Sequence, residues 1–344
     1  MVTIVDVAAA AQVSRQTVSN VLNTPEKVRP ATRQRVTTAI EKLGYRPHLP
    51  ARRLRTQEFS VLGMRFDSRW DEGTGSLLDR FLHELIDQAG SHGVRVQLYT
   101  SVDAEDEIQT IRELSESRQV DGFVLTSSYR GDRRLSWLEQ NQIPCVLFGR
   151  PWTDRDDSTD LYNIPWVDVD GAAGTAQATE AFRSDGMSTI AYLGWPTRSA
   201  TGADRRAGWA ASMRATAGSV SLAELSAISE EDIEAAHVAT DKILDRLPGV
   251  EAIVCASDTL ALGALSALQD RARLDVEVSG FDNSRISQLL ELSTVDQNLR
   301  EVARLAFAQL SSPSEDPCSL VVPTFIRRTA TGRLRIRPVE PLRR

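Results

Sequence analysis

The sequence contains little of what marks secreted, metal-binding or membrane proteins. Its three cysteines, Cys145, Cys255 and Cys318, are odd in number, far apart and in no metal-ligand spacing, so we expect neither a disulfide framework nor a zinc site. No stretch approaches the roughly 18 uncharged apolar residues of a membrane span, and the first residues show no secretory signal. These absences predict a soluble, cytoplasmic protein that does not contact a membrane.

Local motifs of common enzymes are also missing. The sequence has no Walker-type loop with Lys, no G-x-G-x-x-G after the first predicted strand and no G-x-S-x-G elbow. The histidines stand apart from any Cys or Glu pair at metal spacing: His48, His83, His92 and His237. We therefore expect no catalytic activity, no cofactor and no metal.

Charge is unevenly distributed along the 344 residues, a length that suits two or three domains of roughly 100–200 residues each. Residues 1–58 contain ten Lys or Arg against four Asp or Glu, a charge of +6, which leaves −13 for the rest of the chain. A small basic segment on a large acidic body indicates that only this segment contacts a polyanion. A solvated basic surface is the alternative on charge alone.

The basic segment has the pattern of three short helices. Thr3 can cap the first, Ser14 can cap the second over residues 15–22, and the third begins near Pro30 and ends at Gly44. A tight turn between the first two helices predicts a helix-turn-helix. In such a unit the second helix enters the major groove of DNA with its N-terminal residues.

The residue types at the start of the second helix suit base reading. Arg15 suits the two acceptors of guanine, and Gln16 suits the donor and acceptor of adenine. The polar residues that follow can reach phosphates or further base edges. The alternative is a small structural helical hairpin. The predicted DNA contacts of this head are Thr3, Ser14, Arg15, Gln16, Thr17, Ser19 and Asn20.

From Phe59 onward, short apolar runs alternate with amphipathic helical patterns. The predicted strands are Ser60–Met64, Val94–Tyr99, Gly122–Leu125, Cys145–Phe148, Trp166–Val169, Thr189–Leu193, Ala252–Cys255 and Val276–Phe281. The predicted helices are Leu77–Ala89, Glu105–Glu116, Gly174–Phe182, Trp209–Ala215, Ile233–Leu247 and Thr259–Gln269. This alternation predicts an α/β fold with a doubly wound parallel sheet, and about 270 residues of it predict two lobes.

Three linked motifs in the first 58 residues resemble the headpiece of the LacI/GalR family of bacterial transcription regulators. They are Thr3–Ala8, Val13–Asn23 and Gly44–Pro47, followed by the similar hinge motif Ala51–Thr56. The resemblance continues through the body to about Thr329, in Val120–Gly122, Val167–Gly171, Arg205–Trp209, Ala256–Gly263 and Ser279–Asn283.

The resemblance implies a division of the chain into four parts. These are a helix-turn-helix head over residues 1–46, a hinge helix over 47–58, a two-lobed domain like the periplasmic binding proteins over 59–330, and a tail over 331–344. The two-lobed domain would bind an effector and dimerise. Its first lobe would comprise about 59–164 and 293–321, and its second about 165–292 and 322–330.

The hinge motif implies a further DNA contact. In the family, two hinge helices lie together in the minor groove, and a Leu from each wedges into the central base step. Leu54 matches that Leu, and Ala51, Arg52 and Arg55 are the neighbouring predicted contacts. Such a wedge costs unstacking energy that a bent and more closely contacted duplex can offset.

The resemblance also implies an effector cleft between the lobes, and the rule that open parallel sheets bind ligands at the carboxyl ends of their strands predicts the same place. Arg and Asp side chains offer fixed donors and acceptors for neighbouring sugar hydroxyls, and aromatic side chains can form a wall. The residues that match family effector positions are Asp67, Arg150, Trp152, Arg205, Asp258, Phe281 and Asp282.

The positions that depart from the family pattern include Gln12, Arg29, His48 and Gly149. Gln12 stands where the turn of the helix-turn-helix usually has Gly, so a backbone that needs positive φ would carry a side chain. Gly149 replaces a residue that is polar in some relatives, so the effector cannot be copied from any one of them.

The predicted function is a repressor that binds a pseudo-palindromic operator as a homodimer, because one helix-turn-helix reads only a few base pairs. A small carbohydrate would control it, and Phe148–Trp152 resembles regulators of glucoside or oligosaccharide use. Two alternatives remain open. A sugar-binding transport protein would require a secretion signal, and a nicotinamide-dependent enzyme on the same fold would leave the basic head unexplained.

Overall fold

The computed structural model describes residues 4–23, 27–43, 59–66, 77–152, 163–196, 199–214, 221–311 and 317–328. The chain divides into two compact units, residues 1–58 and residues 59–344. No helix in the described segments has both the length and the apolar composition that a membrane span requires.

The first unit is a three-helix head, as predicted. Its helices are α1 (Ile4–Ala11), α2 (Arg15–Asn23) and α3 (Pro30–Leu43). Apolar side chains at helical spacing meet between them, and Val7, Val18 and Val36 are completely buried. One small core thus holds α2 against the other two helices and leaves its polar residues outside.

The turn between α1 and α2 contains the first departure from the family pattern. Gln12 has φ of 53°, in the left-handed region, and its N–H donates to the Ala9 carbonyl at 3.2 Å. The next N–H, of Val13, donates to the Ala8 carbonyl at 3.0 Å. A side chain therefore occupies a conformation that glycine adopts at lower cost.

The described part of the second unit alternates strands and helices. The strands are β1 (Val61–Arg65), β2 (Arg95–Tyr99), β3 (Gly122–Leu125), β4 (Cys145–Phe148), β5 (Trp166–Val169), β6 (Ile190–Gly194), β7 (Ser226–Ile228), β8 (Ala252–Cys255), β9 (Glu277–Ser279), β10 (Thr294–Asp296), β11 (Cys318–Val321) and β12 (Thr324–Ile326). The helices are α4 (Leu77–Ser91), α5 (Ala104–Glu116), α6 (Arg133–Gln140), α7 (Gly171–Ser184), α8 (Ala200–Met213), α9 (Ile233–Arg246), α10 (Asp258–Asp270), α11 (Arg285–Leu289) and α12 (Leu299–Ser311).

The first lobe is built on six parallel strands in the order β11-β5-β4-β3-β1-β2. Apolar side chains cover both faces of this sheet. Phe81 of α4 and Phe307 of α12 belong to one core, and Ile111 of α5 and Leu138 of α6 belong to the other. Helices on both faces of a parallel sheet confirm the doubly wound fold.

The second lobe has four parallel strands in the order β7-β6-β8-β9. Its core includes Phe182 of α7, Trp209 of α8 and Ile243 of α9. Gly208 allows α7 and α8 to approach closely, because a Cβ there would lie 1.9 Å from the Ala172 carbonyl oxygen. The close packing of these two helices fixes the position of α8, which carries cleft residues.

Two strands lie in the other lobe from the one predicted. β5 pairs with β4 and β11, so the first lobe continues through Val169 and does not end at residue 164. β10 pairs with β12, and Val295 is buried in the core of the second lobe, although residues from 293 onward were predicted for the first. Both strands lie where the chain crosses between lobes, and a short apolar run there fits either sheet.

Candidate functional site

The start of α2 presents the predicted base-reading residues. The Ser14 hydroxyl accepts a hydrogen bond from the Thr17 N–H at 3.1 Å, which is the expected N-cap. Arg15 and Gln16 are exposed, and Gln16 Nε2 donates to Asn20 Oδ1 at 3.1 Å. The side chains of Thr17, Ser19 and Asn20 are half-buried. All described cations of the head are exposed: Arg15, Lys27, Arg29, Arg33, Arg35 and Lys42.

Several predicted site residues lie outside the described part of the chain. They are Thr3, Ala51, Arg52, Leu54 and Arg55 of the predicted DNA contacts and Asp67 of the predicted effector contacts. Their roles stay predictions from the sequence.

Arg150 links the two lobes at the carboxyl end of β4. Its Nε donates to Asp168 Oδ2 at 2.8 Å within the first lobe, and its Nη2 lies 2.7 Å from Asp204 Oδ2 on α8 of the second lobe. Burial raises the pKa of Asp168, although Arg150 opposes this shift. The ring of Trp152 lies 4.5 Å from the Arg150 guanidinium carbon. One guanidinium is thus shared by a carboxylate from each lobe.

Gly149, another departure from the family pattern, precedes Arg150. Its φ is 116°, and a Cβ at this position would lie 2.9 Å from the Ser128 hydroxyl. A larger residue would be strained and would press on the loop after β3. Glycine here therefore allows the close approach of the two loops.

Arg205 forms the centre of the second-lobe wall. It is 4% exposed, and its guanidinium carbon lies 3.7 Å from the ring centre of Phe281 and 5.0 Å from that of Trp195. Its Nη1 donates to the Ala256 carbonyl at 2.5 Å and lies 3.7 Å from Asp282 Oδ1. Its buried Nε has no hydrogen-bond partner among the described residues. This donor is both buried and unpartnered in the described part of the structure.

Asp282 is held in a strained backbone conformation beside Arg205. Its φ is 119°, and its Oδ1 accepts a hydrogen bond from Gln297 Nε2 at 2.5 Å. Burial raises the pKa of Asp282 to about 8, which the attraction of Arg205 only partly opposes. A second contact between the lobes ends here, because Arg80 of α4 donates to the carbonyls of Asp282 and Asn283 at 2.5 and 3.1 Å.

Two predicted effector residues are placed differently. Asp258 is 1% exposed, and its two oxygens accept hydrogen bonds from the Ser284 N–H at 2.7 Å and the Thr294 hydroxyl at 2.6 Å. Phe281 is completely buried beneath Arg205. In this arrangement Asp258 ties the loop before α11 to β10, and Phe281 supports the guanidinium of Arg205. Their predicted ligand contacts stay predictions from the sequence.

Four residues of the second-lobe wall were not predicted from the sequence: Trp195, Asp204, Glu231 and Ser257. Trp195 Nε1 and the Ser257 hydroxyl both donate to Glu231 Oε2, at 2.5 and 2.8 Å. Asp204 reaches Arg150 across the cleft. Trp195 directly follows β6, so the rule about carboxyl ends of strands could have found it, but no local motif marks Glu231 or Asp204.

Comparison with known proteins identifies both units. The model for bacterial regulatory proteins of the lacI family matches residues 3–48, and the model for periplasmic binding proteins and the sugar-binding domain of the LacI family matches residues 81–312. The second match alone spans more than half of the chain. The protein belongs to the LacI family.

Similar LacI-family proteins align over most of their length. The regulator CelR of Thermobifida fusca is 28% identical over 95% of this chain and 97% of its own. A family member from Chloroflexus aggregans, of known structure, has a TM-score of 0.71 and 30% identity over 78% of this chain and 98% of its own. The structure of CelR with cellobiose has a TM-score of 0.66 and 26% identity over 96% and 100%.

These relatives are transcription regulators and not enzymes. The protein is therefore a DNA-binding transcription regulator of the LacI family, and the two alternatives left open by the sequence are wrong. Its lobes have the periplasmic-binding-protein fold that the sequence predicts.

Proposed function

We propose that this LacI-family regulator represses transcription from a pseudo-palindromic operator, which it binds as a homodimer, and that a small carbohydrate in the inter-lobe cleft controls its DNA affinity. A two-fold dimer supplies two α2 helices for two half-sites. Because the operator DNA of such a regulator lies in the cytoplasm, we expect the protein to act there. Arg15 and Gln16 would read bases, while the other exposed cations of the head would contact phosphates.

The arrangement around Arg205 is the observation that carries the carbohydrate assignment. The guanidinium of Arg205, the carboxyl group of Asp282 and the carboxylate of Glu231 lie on one wall and can offer hydrogen-bond donors and acceptors. Trp152 and Trp195 supply aromatic rings on the two sides of the cleft. Hydroxyl pairs of a sugar can bond to the charged groups, while its apolar ring face packs on a tryptophan.

The two inter-lobe contacts explain how a ligand could change DNA binding. Arg150 with Asp204 and Arg80 with Asp282 form only when the lobes stand at one particular separation. A carbohydrate that contacts both walls favours this arrangement over a more open one. Only such a difference in affinity between the two arrangements can shift the regulator between DNA-binding states.

Cellobiose is the first ligand to test, because the similar regulator CelR has been solved in complex with it. We expect cellobiose to raise the melting temperature of the full chain in proportion to ln(1 + [L]/Kd), with maltose and glucose as comparisons. Asp282→Ala should lose this response, whereas Asp275→Ala, which changes an exposed carboxylate paired with Arg273, should keep it.

The outcome of this screen is informative in both directions. If no mono- or disaccharide at millimolar concentration stabilises the wild-type chain, the carbohydrate assignment is wrong. If a saccharide stabilises wild type and Asp282→Ala equally, the carbohydrate binds elsewhere and the proposed cleft contacts are wrong.

A further inference from the structure

A second groove, which shares Trp195 with the wall of the cleft, lies in the second lobe, beside β7 and between α8 and α9. Its volume is about 760 Å³, within the roughly 300–1,000 Å³ of small-molecule sites. β7 is the outer strand of its sheet, so the groove opens at the edge of the lobe. On α8, Arg206 and Ala203 line the groove, whereas Arg205 contacts Asp282 in the cleft.

The lining of the groove is cationic and contains no carboxylate. Its four charged residues are exposed and form no ion pair among the described residues: Arg206, Arg214, Lys242 and Arg246. The neighbouring acids of α9, Asp241 and Asp245, pair with Arg271 instead. Since residues 59–344 carry a net charge of −13, a groove lined by four cations and by no carboxylate is unusual in this domain. The nearby acid Glu224, which interacts electrostatically with Arg246, does not line the groove.

Two of these cations converge on one residue. Arg206 Nη2 lies 3.4 Å from the Ser226 hydroxyl oxygen, and Arg246 Nη2 donates to the Ser226 carbonyl at 3.0 Å. The two guanidiniums therefore approach β7 from α8 and α9. Like charges brought together repel each other unless an anion lies between them.

A buried hydroxyl also lacks a partner in this groove. Tyr192 is 1% exposed, and its Oη has no hydrogen-bond partner among the described residues. Its ring stacks on Trp209 and extends over Gly194, where an added Cβ would lie 2.3 Å from Tyr192 Cε1. Both Tyr192 and Gly194 line the groove. A buried hydroxyl without a partner costs free energy that a ligand oxygen would recover.

We propose that this groove binds a small phosphorylated metabolite, with its phosphate between Arg206 and Arg246. Guanidinium groups bind phosphate oxygens in pairs, and Arg214 and Lys242 would add to the attraction. The organic part would lie on Trp195 and on the alanines of the lining, whose small side chains leave the space open. Tyr192 Oη would donate to an oxygen of this ligand.

Calorimetric titration of the full chain with glucose 6-phosphate tests the proposal, with glucose and inorganic phosphate as separate arms. We expect glucose 6-phosphate to bind more tightly than either. In the double variant Arg206→Gln/Arg246→Gln, the dissociation constant of glucose 6-phosphate should rise about tenfold or more. Each factor of ten corresponds to about 1.4 kcal/mol of binding free energy. Lys242→Gln, which removes no internal contact of the described residues, should raise the dissociation constant severalfold. The control Arg300→Gln/Arg304→Gln changes two exposed cations of the first lobe and should leave it unchanged.

Three results would overturn the proposal. The first is that glucose 6-phosphate does not bind the wild-type chain. The second is that it binds the groove variants as tightly as it binds the control variant Arg300→Gln/Arg304→Gln. The third is that Asp282→Ala abolishes glucose 6-phosphate binding while Lys242→Gln has no effect, which would place the phosphate in the cleft. Because cellobiose binding is measured separately, failure here leaves the proposed repressor function untouched.

Discussion

At the residue scale, the cleft depends on ionisable side chains that the fold brings close together in a buried site. Arg205 and Asp282 are 77 positions apart in the chain and lie 3.7 Å apart in the fold. Burial disfavours the ionised form of Asp282 and raises its pKa to about 8, while the nearby Arg205 favours ionisation. The balance leaves Asp282 able to change its charge within an accessible pH range.

This shift makes stability depend on pH. The ordinary pKa of Asp is about 3.9, so between pH 4 and 8 the unfolded chain has lost a proton that folded Asp282 retains. The contribution of Asp282 is therefore complete below pH 4 and is lost as pH rises through 8, at up to about 1.4 kcal/mol per pH unit. Chemical denaturation of wild type and Asp282→Asn should show a difference that changes with pH in this window, and a constant difference would contradict the raised pKa.

Arg150 allows the contact between the lobes to be tested with a matched pair. Asp204→Asn removes its partner in the second lobe, and Asp168→Asn removes its partner in the first. If the bridge favours the ligand-binding arrangement, Asp204→Asn should weaken cellobiose binding about tenfold, because the binding-competent fraction falls. Asp168→Asn should have a smaller effect. Equal losses in the two variants, measured by calorimetry, would show that the bridge between lobes has no special role.

The sequence could predict which of these residues lie near one another, but not which partners their side chains bond, and their ligand contacts stay predictions. Arg205 and Asp282 were expected to lie together, and they do. Asp258 also follows a strand, but it begins α10 and its carboxylate turns into the protein to bind the Ser284 N–H. Position at the end of a strand predicts nearness to the cleft, whereas the partner that satisfies a side chain depends on loops distant in sequence.

At the element scale, α2 is set by its N-cap and by the turn before it. Gln12 adopts φ of 53° there. Gln12→Gly should stabilise the head by about 0.5–1 kcal/mol, since relief of backbone strain exceeds the entropic cost of glycine. Hydrogen exchange of α1 and α2 amides in the full chain measures this directly. Faster exchange in Gln12→Gly than in wild type would contradict the claim that the backbone of Gln12 is strained.

Strands with apolar runs bounded by turn residues were predicted well. Gly122–Leu125, Cys145–Phe148, Trp166–Val169 and Ala252–Cys255 have the same bounds in the structure. β7, β10, β11 and β12 were missed because they are three or four residues long and lie at edges, where alternation has no room to appear. Helix α8 was predicted to begin at Trp209, but it begins at Ala200. Its first half was missed because Gly202 and Gly208 have a low helix propensity.

At the scale of the whole molecule, two units with different charge perform two tasks. The head exposes cations around the capped helix α2. The described part of the acidic second unit contains a six-stranded and a four-stranded sheet, one in each lobe, and the small β10-β12 sheet. Arg80 and Arg150 cross the cleft from the first lobe to the second. Any ligand that changes the separation of the lobes must compete with these contacts or reinforce them.

The most direct test of this account is operator affinity with and without a bound saccharide. An operator would be selected from random duplexes, and its dissociation constant measured by fluorescence anisotropy for wild type and Asp282→Ala. We predict that a saturating saccharide changes the wild-type constant about tenfold or more, and that Asp282→Ala binds the operator normally without responding. An unchanged wild-type constant, despite demonstrated saccharide binding, would contradict control by the cleft.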